Sequence, residues 1–178
     1  VGGQKVYDAT TTVSSSDLEV TGEVTGESIS ITGTGSVTDK NVGSGKTIDI
    51  SGLSLSDGSH SASNYTIGTT SFAITPRNLS ISGEKVYDGT GTVLASQIDT
   101  VNTAGGETLT ISGEGSVSLP SVGTNKSITL NTLGISDGTN GTIGLASNYT
   151  LDSGTFDITT KPITLSGSRQ YDGTTLSL

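Results

Sequence analysis

The chain lacks cysteine, methionine and tryptophan, and its 178 residues include only 5 tyrosines, 2 phenylalanines, 3 prolines and one histidine. Each scarcity removes a kind of chemistry. Without cysteine there are no disulfides, no thiolate metal sites and no thiol nucleophiles, a composition compatible with a secreted bacterial protein. With His60 alone, neither a histidine-based metal site nor a nucleophile–histidine–acid triad can be assembled. Glycoside hydrolysis needs two carboxylates flanking a sugar, and acids such as Glu27 and Glu107 are present. Sugar subsites usually lean on tryptophan, however, and there is none. No catalytic residue and no cofactor are expected, and the chain reads as a non-enzyme.

Positive charge is scarce as well. Eight Lys and Arg against 17 Asp and Glu leave a net charge of -9, and the basic residues form no patch. That balance argues against nucleic acid and against an anionic lipid surface as partners. No hydrophobic run approaches the length of a membrane span, and no secretion signal is visible, so membrane insertion of this segment is not expected. The chain reads as a piece of a longer protein.

What it does have is glycine (26 residues), serine and threonine, with 30% hydrophobic residues arranged in order. The word "KVYDAT" (5–10) returns as "KVYDGT" (85–90) and "RQYDGT" (169–174), so its tyrosines are spaced by 80 residues (7 to 87) and 84 residues (87 to 171). Residues 29–58 align with 109–138 without a gap, "SASNYTI" (61–67) with "LASNYTL" (145–151), and "TTSFAIT" (69–75) with "SGTFDIT" (153–159). The length difference falls where 59–63 becomes 139–147, which marks a surface loop. Repeats are expected over 1–76 and 77–160, the first clipped at its start, with a third beginning at 161–178.

Within each repeat apolar residues alternate, as in "LSIS" (79–82), "LTIS" (109–112), "SITL" (127–130) and "FDI" (156–158). Period two is the signature of half-buried strands. The expected fold is all-β, a small sandwich-like domain repeated along an elongated chain, with a β-grasp-like sheet carrying one short helix as the alternative. A helical turn fits only after the word, in "SSSDLEV" (14–20) and "LASQIDTV" (94–101). The linkers "ITPRNLS" (74–80) and "ITTKPITLS" (158–166) are short and carry one proline each, so neighbouring repeats should be stiffly joined and contact one another.

The recurring word is read as a joint. Its residues are Tyr7, Asp8, Tyr87, Asp88, Gly89, Tyr171, Asp172 and Gly173. The tyrosines, Tyr87 among them, are expected to be buried, since little else can fill a small-residue interior. Each aspartate should accept from a backbone amide two residues on, and the next residue should supply a positive φ. Ala9, standing where the second copy has Gly89, argues against a strict glycine requirement.

A unit that opens with K-x-Y-D-G-T, carries "DKNVGSGKTI" (39–48) and "SNYTI" (63–67), and closes with "AITP" (73–76) resembles the YDG domain. Such domains occur in tandem in very large bacterial surface and secreted proteins of the filamentous-haemagglutinin type, beside the related MBG repeats. The resemblance spans nearly the whole chain. It implies an extracellular or cell-surface stalk segment of an adhesin, whose partners are adjacent repeats and, through the parent protein, a host or matrix glycan or protein. The competing reading makes each repeat a binding module for a glycan or matrix polymer. No ligand-binding residue carries over.

Three further chemistries have candidate residues in the chain. Asp8, Asp88, Asp57 and Asp137 could offer oxygen ligands to calcium, but no known calcium-loop spacing is present and turn formation is preferred. The glycosylation sequons at Asn64, Asn78, Asn125, Asn140 and Asn148 are what such a composition produces by chance. Lys46 with Asn64 and Lys126 with Asn148 recur in both repeats, as an isopeptide crosslink would require; their polar flanks suggest exposed lysines instead.

Overall fold

A computed structural model describes residues 2–68, 70–168 and 170, so the third copy of the word, with Tyr171, Asp172 and Gly173, lies outside the described residues. The fold is all-β, with 49% strand and 9% helix and no helix of seven residues or more. Among the described residues, no helix is long and apolar enough to cross a membrane.

Two halves share one strand order. In the first, a four-stranded sheet runs Leu18–Glu19, Gly2–Val6, Ser71–Thr75, Gly43–Lys46; in the second, Ile98–Val101, Arg77–Val86, Tyr149–Thr159, Gly123–Ser127. In both, the opening and closing strands pair in parallel at the centre, Lys5 opposite Ile74 and Lys85 opposite Ile158. Everything between them is therefore a crossover that must return to the same end. That crossover builds the other layer. Strand Ile29–Val37 pairs with Thr12–Ser14, Ile48–Asp49 and Leu53–Asp57 in the first half. In the second, the same stretch is split at Gly113 into Leu109–Ser112 and Glu114–Ser116. The alternating apolar residues of the two layers meet inside: Ile81, Ile98, Phe156 and Ile158 from the mixed sheet close on Val93, Val117, Ile128 and Leu133.

The helical turns expected after each word are present as single 3-10 turns, Ser15–Asp17 and Ala95–Gln97. Their third side chains reach back to the entering amides. Ser14 N–H donates to Asp17 Oδ2 at 3.0 Å and Leu94 N–H to Gln97 Oε1 at 2.9 Å. Only Pro76 separates the closing strand Ser71–Thr75 from Arg77–Val86, so one half runs almost directly into the next.

The word itself is organised by its lysine. Lys5 and Lys85 are buried. The Lys5 ammonium donates to Asp8 Oδ1 (2.9 Å), Thr10 O (3.0 Å) and Thr12 O (2.6 Å). Lys85 repeats this with Asp88 Oδ2 (3.1 Å), Thr90 Oγ1 (3.0 Å) and Thr92 O (2.7 Å). As expected, Asp8 and Asp88 each accept from the amide two residues on, Thr10 N–H at 2.9 Å and Thr90 N–H at 2.8 Å. The Thr90 amide, then Lys85, hold the Asp88 carboxyl down to about 2. The residue between has φ 84° at Gly89 and 65° at Ala9, so the positive φ is required in both copies and alanine bears it.

Gly83 is fixed by space rather than by φ. A Cβ built there would lie 2.0 Å from the carbonyl oxygen of Gln97, because the opening strand passes directly over the 3-10 turn. Gly83→Ala must push strand and turn apart, and urea unfolding should show a loss of about 1–3 kcal/mol, the usual cost of overpacking. Wild-type stability in that variant would mean the strand and turn are not in contact.

Candidate functional site

The most heavily determined polar site lies where the halves meet, and its centre is Glu107. The 3-10 turn Ala104–Gly106 delivers this carboxylate into the interior, where its side chain is 1% exposed. Three donors converge on it. Tyr7 Oη donates to Oε1 at 2.7 Å, Tyr149 Oη to Oε2 at 2.8 Å, and the Lys40 ammonium to Oε1 at 2.7 Å. Tyr7 and Lys40 come from the first half, Tyr149 and Glu107 from the second. Tyr7 sits just past the strand Gly2–Val6, tied by its amide to Thr75 O at 2.9 Å; Lys40 lies on the loop before Gly43–Lys46.

The surroundings lock this geometry. The Tyr7 and Tyr149 rings meet edge to face with centroids 5.4 Å apart, and the Lys40 ammonium stands 6.0 Å from the Tyr7 centroid. Tyr149 Oη accepts from the Ala104 amide at 3.0 Å. Asn148, 1% exposed, bridges the halves with its amide: Oδ1 accepts from Val42 N–H at 2.9 Å and Nδ2 donates to Asn41 Oδ1 at 2.8 Å. One hydrophobic cluster joins Tyr7, Phe72 and Ile74 to Leu79, Ala104 and Tyr149, so the first half's core continues into the second. Gly105 makes the close approach possible, since a Cβ there would lie 2.9 Å from the Cβ of Ala9.

Burial alone would push the Glu107 carboxyl up, but the hydrogen bonds from Lys40, Tyr7 and Tyr149 outweigh it and hold the group below its ordinary value. Tyr149 is pushed up to about 12, chiefly by burial and further by Glu107. Tyr7 is raised by burial and then by its bond to Glu107, while Lys40 is raised by the carboxylate it faces. The arrangement is thus an ionised acid sealed by neutral phenols and one cation. With all three donors supplied by the chain itself, it offers structural cohesion rather than a reactive group.

The other sequence candidates lie elsewhere. Asp57 and Asp137 each accept from the amide that opens the next 3-10 turn, Ala62 at 2.7 Å and Ala146 at 2.8 Å. Lys46 donates to Asp39 Oδ2 at 3.1 Å, and Asn148 is engaged by Asn41 and Val42, so neither proposed lysine–asparagine pair is hydrogen-bonded. His60 lies exposed, with Nε2 3.9 Å from Glu27.

One expectation is overturned. Tyr87 is 40% exposed, whereas Tyr7 is fully buried. The tyrosine of the word does not fill its own half. It projects from the end of that half and is buried only by the next one, and no described residue plays that part for Tyr87. Sequence reasoning weighed Glu107 only as an acid for glycoside chemistry, not as the centre of a junction, and missed Lys40. The repetition of Glu27 as Glu107 was a usable signal, whereas Lys40 corresponds to Pro120 and so left none.

An all-β chain of two equivalent halves, locked through a buried carboxylate, is the class of protein this geometry defines. The chain matches the YDG domain over residues 1–72 and 74–156, and it belongs to that family. No curated protein and no solved structure matches it.

Two measurements probe the junction. Tyr7→Ala removes a fully buried ring and should cost about 3–5 kcal/mol, whereas Tyr87→Ala should stay within about 1 kcal/mol; equal losses in the two melts would refute the assignment. Because the folded values of Tyr7 and Tyr149 lie above the free phenol's 10.0, the junction's stability is complete below pH 10 and is lost as pH climbs toward 12. Titration of phenolate absorbance should show a late-ionising fraction that shifts part of the way toward ordinary values in Glu107→Ala, since the contribution of burial remains.

Proposed function

We propose that this chain is a non-catalytic structural segment, a run of tandem YDG repeats that spaces an adhesive region away from a bacterial surface. The observation that carries the proposal is the junction. The first copy of the repeated word holds one half to the next, its Tyr7 meeting Glu107 beside Tyr149, and does not line an open pocket with convergent reactive groups. A short connection with Pro76 between two strands, a shared hydrophobic cluster and a buried polar bridge all restrict rotation between halves. Restricting rotation is what a stalk requires. Its parts contact only their neighbours, so length grows with each added unit.

The net charge of -9 and the family's sequence resemblance support an extracellular setting with neither nucleic acid nor lipid as partner. Adjacent repeats are the first partners in this reading, and any host or matrix ligand is met by the parent adhesin. Metal has no part in it, since Asp8 and Asp88 already serve Lys5 and Lys85.

Solution scattering tests the proposal. The maximum dimension should approach the summed lengths of two halves, stay unchanged on adding a chelator, and spread into a broader distance distribution in Glu107→Ala. A compact globular profile, or collapse with chelator, would refute it. Protease shaving of intact producing cells should release fragments containing this sequence; recovery only after lysis would remove the surface assignment.

A further inference from the structure

Tension applied along this chain enters and leaves each half at fixed points. The second half receives it through Pro76, at the start of the strand Arg77–Val86, and passes it on past Thr159, at the end of the strand Tyr149–Thr159. These two strands pair in parallel, Arg77 opposite Tyr149 and Val86 opposite Thr159, and all ten residues of the opening strand find partners. Entry and exit therefore lie at opposite ends of about 30 Å of ladder. A pull between them slides one strand along the other instead of peeling it away. The first half has the same arrangement, Gly2–Val6 against Ser71–Thr75 in parallel.

Sliding and peeling differ in the distance over which the load works. Peeling breaks rungs one at a time, and each broken rung frees a residue from both strands, about 7 Å of chain. Sliding must break the whole ladder within less than one residue repeat, about 3.3 Å. The same hydrogen bonds thus oppose a far larger force in shear. Several features keep this pair from escaping by the easier route. It is central, with Ile98–Val101 on one flank and Gly123–Ser127 on the other. Leu79, Ile81, Phe156 and Ile158, each at most 1% exposed, hold its inner face in the core. Lys85, buried near the far end, would have to pull its ammonium away from Asp88, Thr90 and Thr92 for the strand to slide.

Both load points carry extra bonds. Asn102, just past Ile98–Val101 and held at φ 63°, donates from Nδ2 to Asn78 O at 2.9 Å and accepts at Oδ1 from Ser80 N–H at 3.1 Å. Its own carbonyl accepts from Arg77 Nε at 2.7 Å. At the exit, Tyr87 N–H donates to Thr159 O at 2.9 Å and the Thr159 hydroxyl donates to Lys85 O at 3.2 Å, so the ladder is doubled and carried past the strand's end. Tyr7, Thr75 and Lys5 repeat this pair of bonds in the first half, at 2.9 and 3.3 Å. We propose that the central parallel pair is a tensile clamp that makes this segment a load-bearing element, with Asn102 the clasp that stops peeling where load enters. The use of the clamp rests on the stalk reading, since a tethered and pulled chain is what loads it. In a series of such halves each bears the full tension, because each touches only its neighbours.

Single-molecule pulling on the whole 178-residue chain tests this, and the lack of cysteine lets two introduced ones fix where force is applied. Asn78→Cys with Thr160→Cys loads the pair in shear. Val86→Cys with Thr160→Cys loads the same ladder from one end and peels it. All of these sites are exposed. Forced unfolding reads the unfolding barrier and not the equilibrium stability, and the shear attachment should rupture at roughly twice the force of the peel attachment or more. Asn102→Gly keeps the positive φ and removes the amide; it should lower the shear force and leave the peel force unchanged. Equal forces in the two attachments overturn the clamp. A loss in Asn102→Gly that both attachments share, or that neither shows, overturns the clasp. Either failure leaves the stalk reading standing, because that reading is judged by particle length in scattering. A compact scattering profile would remove the stalk and leave the clamp as measured.

Discussion

The structure depends on one ionised carboxylate that water does not reach. An unpaired Glu107 at 1% exposure would be costly to keep charged. Two phenols and an ammonium make it affordable, and they do so only if both halves are in place. Burial and pairing therefore imply each other. The first half supplies Tyr7 and Lys40, the second supplies the acid and Tyr149, and separation would strand polar groups on both faces. This is why a chain poor in large apolar side chains can hold two small cores in register. Its junction draws cohesion from charge-assisted hydrogen bonds as well as from the rings that flank them.

A second constraint acts within each half. The opening and closing strands pair in parallel at the sheet's centre, and the loop after the opening strand is tied by a buried lysine to an aspartate and to two threonines three to seven residues on. That loop then aims a tyrosine outward along the strand direction. The lysine knot and the junction are thus one device: the first fixes the loop, and the fixed loop presents the ring to the next half. The same device explains why the two copies of the word differ so much in exposure while sharing their internal hydrogen bonds.

Much of this was legible beforehand, and for a definite reason. Period-two alternation with glycine breaks determines strand and not helix, because only a strand puts alternate residues on one face. The 80-residue spacing determines that whatever one half does the other does too, and the Asp–x–Thr order of the word determines a local turn. Those are short-range facts, settled by neighbours in the chain. Which end of its half the tyrosine faces is not short-range. Tyr7 meets Glu107 across 100 residues and Val42 meets Asn148 across 106, and nothing local to Tyr87 says that its ring points outward. The burial of Lys5 and Lys85 was hidden for a similar reason: polar flanks suggest solvent, while the carbonyls and carboxylates that replace solvent are gathered only when the loop closes. Sequence alone decided the strands, the repeat and the turn. Tertiary structure decided the junction, because desolvating a charge is favourable only where donors from distant parts of the chain arrive together.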